Sequence, residues 1–121
     1  AAALATLDIF ETDNVIESNK LLITEFTQQC ERFRHHSNVG DIRQHGMITA
    51  IELVKNKVTK EAYPWQQRRG LEVYMYGLKN NILLRPLGNV IYFMPPYVIT
   101  TEEIQMLVDV AERGIEIAVK N

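Results

Sequence analysis

The chain holds a single cysteine, Cys30, in 121 residues, so it can build neither a disulfide framework nor a CxxC metal site. Cys30 falls in an apolar helical pattern and reads as a core residue of a protein from a reducing compartment. No run of about eighteen apolar residues occurs, which excludes a membrane-spanning helix, and the N-terminus lacks the basic start and cleavage pattern of a signal peptide. A soluble, cytoplasmic protein is expected. Charge of one sign is lacking too: 13 Lys and Arg stand against 15 Asp and Glu. Such a balance gives no field for nucleic acid or an anionic membrane, so neither is expected as a partner. The 6 glycines are scattered rather than gathered in a phosphate loop, and no GxSxG or HExxH spacing appears. His35 and His36 are adjacent and so point apart, and with His45 they find no ligand spacing; no metal site is expected. Asp41, Glu52 and Asp109 lie on separate elements and read as solvated positions rather than a catalytic pair.

What is present is a 46% apolar, 23% charged composition, which predicts one globular domain over residues 1–121 with a single core. Residues 1–36 read as a helical lead-in. Its alanine-rich opening has no capping residue before it and looks cut from something longer. Asn14 with Glu17 then resembles a capping box, and Val15, Leu22, Phe26, Cys30 and Phe33 follow at helical spacing. Residues 39–54 alternate as two strands joined across Gln44-His45-Gly46, a hairpin. Lys55 to Ala62 reads as a loop. A helix is predicted over 64–80, with Pro64 in its first turn and Leu71, Tyr74, Met75 and Leu78 on its apolar side. A second hairpin spans 82–94 around Pro86-Leu87-Gly88-Asn89. The last helix, 100–119, opens on a Thr100/Glu103 capping box and carries Ile104, Leu107, Val108, Ala111, Ile115 and Ala118 on one face. Helices on one face of a small antiparallel sheet built from two hairpins make an α+β domain.

One arginine stands between two apolar strand-like segments, in Leu83-Leu84-Arg85-Pro86-Leu87. Fixed in direction at a strand end, Arg85 suits bidentate capture of a carboxylate or phosphate; the other reading is a snorkelling side chain with a structural acidic partner. Tyr92 lies in the strand after the turn, where a hairpin register brings its hydroxyl near that guanidinium, or else its ring is simply core. Trp65, beside Tyr63 and Pro64, either lines a pocket or packs at a helix start.

The run from Leu83 through Arg85-Pro86-Leu87-Gly88 and Tyr92-Phe93-Met94-Pro95-Pro96-Tyr97 to Glu103 resembles the C-terminal signature of the class III, fold-type I aminotransferases. Ala1-Ala2-Ala3-Leu4-Ala5 and the hairpin Arg43-Gln44-His45-Gly46-Met47-Ile48-Thr49-Ala50-Ile51-Glu52-Leu53 resemble segments of the same family, so the likeness runs the full length of the chain. Arg-Pro-Leu-Gly is shared by several subgroups; Tyr92 to Tyr97 tilts the likeness to the subgroup of biotin biosynthesis.

The resemblance implies a homodimeric pyridoxal 5'-phosphate enzyme that moves the amino group of S-adenosylmethionine to 7-keto-8-aminopelargonate. Arg85 then matches the arginine that binds the keto acid's carboxylate, and Tyr92 the tyrosine that lines the same site. The family's Schiff-base lysine, the aspartate on the pyridine nitrogen and the phosphate-binding residues belong to a large domain. None of Lys20, Lys55, Lys57, Lys60, Lys79 or Lys120 matches that lysine. The chain is accordingly read as the C-terminal small domain, without catalytic or cofactor-binding residues of its own and inactive alone. Two other functions remain open: a class III aminotransferase for an ω-amino acid or ornithine, and a free-standing regulatory module that binds a small molecule.

Overall fold

The computed structural model describes residues 1–120. Helix α1 (Ala2–Thr12) and helix α2 (Val15–Cys30) open the chain, and a 3₁₀ stretch, Glu31–His35, follows. The helical lead-in is therefore broken, because Asn14 adopts a left-handed conformation at φ 48°, one that Asn tolerates better than most residues. The Asn14/Glu17 capping box does not form: Asn14 makes no side-chain cap bond, and Glu17 pairs with Lys20 at 2.7 Å. Helix α1 buries none of its residues.

Strands β1 (Val39–His45) and β2 (Ile48–Asn56) form the first hairpin, and β4 (Arg85–Leu87) with β5 (Val90–Phe93) forms the second. They join through β2 and β5 into one antiparallel sheet of order β1-β2-β5-β4. Both hairpins close on a short loop whose first residue is glycine, between the partners His45 and Ile48 and between Leu87 and Val90. Gly46 at φ 58° and Gly88 at φ 62° supply the positive angle that a type II′ turn needs at that position.

The segment read as a loop contains strand β3 (Glu61–Ala62), antiparallel to the end of β2. Asn56 Oδ1 accepts from the amides of Val58 and Thr59, an Asx turn that reverses the chain where no strand pattern is long enough to see. The helix read from residue 64 starts later. A short 3₁₀ turn, Trp65–Gln67, leads to Arg68 at φ 49°, and α3 (Arg69–Lys79) begins only after it. Its buried residues are Arg69, Gly70, Val73 and Gly77, whereas Leu71, Met75 and Leu78 are exposed. Of the four apolar residues placed on one side of this helix, three thus face out and Tyr74 is half-buried.

Helix α4 (Thr101–Lys120) closes the fold with its apolar face buried as its spacing indicates. The capping box forms: the Glu103 amide donates to Thr100 Oγ1 at 3.2 Å and the Thr100 amide to Glu103 Oε2 at 2.8 Å. Helices α2, α3 and α4 cover one face of the sheet, and the core lies between. Phe26 and Phe33 meet Phe93 with ring centroids 5.5 and 6.3 Å apart, among Ile51, Leu53, Ile91, Val73 and the α4 face. Burying one such side chain contributes roughly 1.5–3 kcal/mol. Among the described residues no helix covers the opposite face of the sheet, and Arg85 and Tyr92 lie there.

Candidate functional site

Counting outward from the hairpin loops builds the site. In antiparallel strands, direct partners share a face, so the register places Arg43, Ala50, Tyr92 and Arg85 in one row across the open face. The next row is Asp41, Glu52, Val90 and Leu87. Arg85 and Tyr92 are thus brought together as direct cross-strand partners, Arg85 exposed and Tyr92 half-buried. Leu84, wholly buried, anchors the chain just before Arg85.

The two arginines of the row differ. Arg43 donates to Asp41 at 2.8 Å and to Glu52 at 3.1 Å; the Glu52 hydrogen bond and the charge of Asp41 hold its guanidinium above its ordinary pKa. Asp41 and Glu52 are therefore not apart, as their place on separate strands implied, but adjacent and sharing a cation. The signal was available, because their distances from the Gly46 turn match. Arg85 has no such company: among the described residues every ion pair involves other cations. Among the described residues Arg85 has no acidic partner, and its side chain is exposed.

Trp65 does not pack at a helix start. It is 72% exposed and lines a cleft of about 340 Å³ with Arg68, Leu71, Pro86 and Gly88. Pro86 alternates with Arg85 and Leu87 and so faces the helix side, which puts this cleft behind the hairpin rather than in the Arg85 row. Asp109 lies elsewhere, on α4 against Arg32 at 2.5 Å.

Other titratable groups offer no reactive centre. Burial pushes the Cys30 thiol up to about 12, only partly opposed by the charge of Arg32, so it stays protonated and inert. Burial lowers the pKa of His36, whose Nδ1 accepts from the Asn38 amide at 3.0 Å. Among the described residues no group of three or more His, Cys, Asp and Glu is placed to hold a metal ion.

A Schiff-base cofactor needs an enclosed lysine with a free amine. Lys20 and Lys55 donate to Glu17 and Glu61. Lys57 donates to the carbonyls of Arg34 and His36, and Lys60 to that of Gly40. Lys79 and Lys120 are exposed in the last turns of α3 and α4. None of these described lysines fits a Schiff base with pyridoxal phosphate.

The sequence profile described as aminotransferase class-III matches residues 1–115. An adenosylmethionine-8-amino-7-oxononanoate aminotransferase of Geobacter sulfurreducens is 43% identical over 115 residues, covering 95% of this chain and 25% of the relative. The protein of that name from Helicobacter pylori is 43% identical over 112 residues, covering 89% of this chain and 24% of the relative. The crystal structure of the Methanocaldococcus jannaschii protein of that name superposes with a TM-score of 0.91 at 43% identity, over 95% of this chain and 26% of that one. A PMP-bound aminotransferase from Vibrio fluvialis superposes at 0.92 with 21% identity, over 98% of this chain and 26% of that one, a likeness of fold. The chain spans about a quarter of the length of these curated relatives. With a matched profile over nearly its whole length and a sheet and helices that superpose on family structures, the chain belongs to the class-III aminotransferases.

Proposed function

We propose that the chain is the C-terminal small domain of a pyridoxal phosphate-dependent aminotransferase of biotin biosynthesis, transferring the amino group of S-adenosylmethionine to 7-keto-8-aminopelargonate. The reading adds a cytoplasmic homodimer whose remaining part holds the cofactor. The observation that carries it is Arg85: a strand-borne guanidinium without a carboxylate partner, directly opposite Tyr92 on the open face. A guanidinium presents two parallel N–H donors to the two oxygens of a carboxylate. Arg85 fixes the acid end of the acceptor, and Tyr92 lines the path of the aliphatic chain behind it. Pyridoxal phosphate, when bound, supplies the amino-group carrier and electron sink; this chain's residues hold and orient the acceptor. Support comes from relatives at 43% identity that bear the name of the biotin-pathway enzyme.

The test uses the full-length enzyme. S-adenosylmethionine should change the cofactor absorbance and the keto acid should restore it, while Arg85→Ala lowers kcat/KM for the keto acid about a hundredfold, the loss of two charge-assisted hydrogen bonds. A response only to other amines would leave a class III aminotransferase of different donor. No cofactor absorbance at all would refute the assignment.

A further inference from the structure

Arg85 is exposed and forms no ion pair among the described residues, so its direction depends on the backbone of β4, a strand of 3 residues at the sheet edge. What fixes that backbone is therefore part of the site. The turn after β4 is held from three sides. Asn89 Nδ2 donates to the Tyr63 carbonyl at 2.7 Å. The Asn89 carbonyl accepts from the Leu53 amide at 2.8 Å. On the third side the Gly88 carbonyl lies so close to Gly70 that a Cβ there would sit 2.5 Å from it.

Tyr63 is itself immobilised. It is 7% exposed, its hydroxyl accepts from Asn38 Nδ2 at 2.9 Å, and the Arg69 guanidinium lies 4.9 Å over its ring. The side-chain amide of Asn89 thus ties the hairpin turn to the interior of the domain. It does so at a cost, because its Oδ1 is buried without a partner, and an unpaired buried acceptor costs about 1–3 kcal/mol. A turn that needed only to close would place Gly88 and any small polar residue there, with the side chain in water.

We infer that Asn89 is a positioning residue for the carboxylate-binding arginine: its bond to the Tyr63 carbonyl, with the close seat of Gly88 on Gly70, sets the direction of Arg85 and hence selectivity for acids. The inference rests on the reading of Arg85 given above. Displacing a binding group by about 1 Å costs up to a hundredfold in rate, and Asn89→Ala frees the turn without touching Arg85.

The experiment measures, in the full-length enzyme, the ratio of kcat/KM for the keto acid to that for its methyl ester, which lacks the anionic end. A ratio is independent of the fraction folded, and a general loss of structure lowers both terms alike. Asn89→Ala should lower the ratio about tenfold. Gly70→Ala, which pushes the same turn from the opposite side, should lower it as well if Asn89→Ala fails to fold. In an Arg85→Ala background neither substitution should lower the ratio further. An unchanged ratio in both single variants, with wild type preferring the acid, overturns the inference alone. A wild-type ratio near one removes the reading of Arg85, and the inference falls with it.

Discussion

Replacing Arg69 by Met should destabilise the domain by about 3 kcal/mol, and the structure shows where that figure comes from. Arg69 is 7% exposed. Its Nη1 donates to the Ala118 carbonyl at 2.6 Å, while Nε and Nη2 donate to Gln67 Oε1 at 3.1 and 2.8 Å. Ala118 lies in the last turn of α4, where carbonyls lack partners within the helix and the dipole favours a cation. A charge-assisted hydrogen bond there is worth about 2 kcal/mol, and the contact over Tyr63 adds about 1 kcal/mol or more in a buried setting. The bonds to exposed Gln67 add little, and removing a buried charge returns part of its desolvation cost. Met fills the volume of the stem without the donors. Arg69→Lys should fall between, since an ammonium can reach one carbonyl but not fork to Gln67. Urea unfolding followed by circular dichroism measures this on wild type and both variants. A shift in midpoint with unchanged slope is the expected form. A loss below about 0.5 kcal/mol for the Met variant would refute the account, because it would mean the Ala118 carbonyl is equally well served by water.

Two further outcomes follow from the same structure. The Cys30 thiol, raised from 9.0 to about 12 by burial, binds its proton more tightly folded than unfolded, so its contribution is complete below pH 9 and is lost as pH rises toward 12, by about 1.4 kcal/mol per pH unit; Cys30→Ala, compared with wild type by unfolding at pH 8 and pH 10, should show a smaller alkaline loss, and an identical slope would count against it. Thr100→Ala removes the acceptor for the Glu103 amide and should cost about 1 kcal/mol, with Thr100→Ser retaining most of it; equal stability of the Ala and Ser variants in urea would show that the cap carries nothing.

Much of the fold could be read from local chemistry. Gly46 and Gly88 mark both hairpins, and α4 carries a capping box followed by apolar residues at helical spacing. The pairing of Arg85 with Tyr92 was legible by the same route, since the two are equidistant from the Gly88 turn and must share a face. The failures have separate causes. In α3 the large apolar residues Leu71, Met75 and Leu78 lie outside, while Gly70, Val73 and Gly77 face the core. Periodicity reports where hydrophobic residues sit on a helix but not which side meets a neighbour. Small residues let α3 lie close to the β4–β5 hairpin, and the large ones face away. The left-handed Arg68 carries no sequence signal, because nothing in an arginine announces a positive φ. The short β3 depends on Asn56 and on register rather than on any pattern of its own.

Arg43 and Arg85 sit in one row of one sheet face, and they differ in their partners. Arg43 carries its own carboxylates, Asp41 and Glu52, and is neutralised wherever it is placed. Arg85 has none, and in water that matters little: an exposed guanidinium–carboxylate pair contributes about 0–1 kcal/mol. Cover the same face with other protein and the Coulomb term at 4 Å rises from about 1 to about 4 kcal/mol as the effective dielectric falls. The uncompensated charge then becomes a standing cost that only an acid relieves, since an ester or an amine leaves it unpaired. On the proposed function the chain provides direction, through the Gly88 turn and the seat of Asn89, and whatever covers the sheet provides strength. An arginine with a resident acidic partner could not be used this way. Among the described residues no acid pairs with Arg85, since in the neighbouring row Glu52 lies two strands away and Asp41 three, both beside Arg43; on the proposed function, that lack is what leaves the charge to a carboxylate.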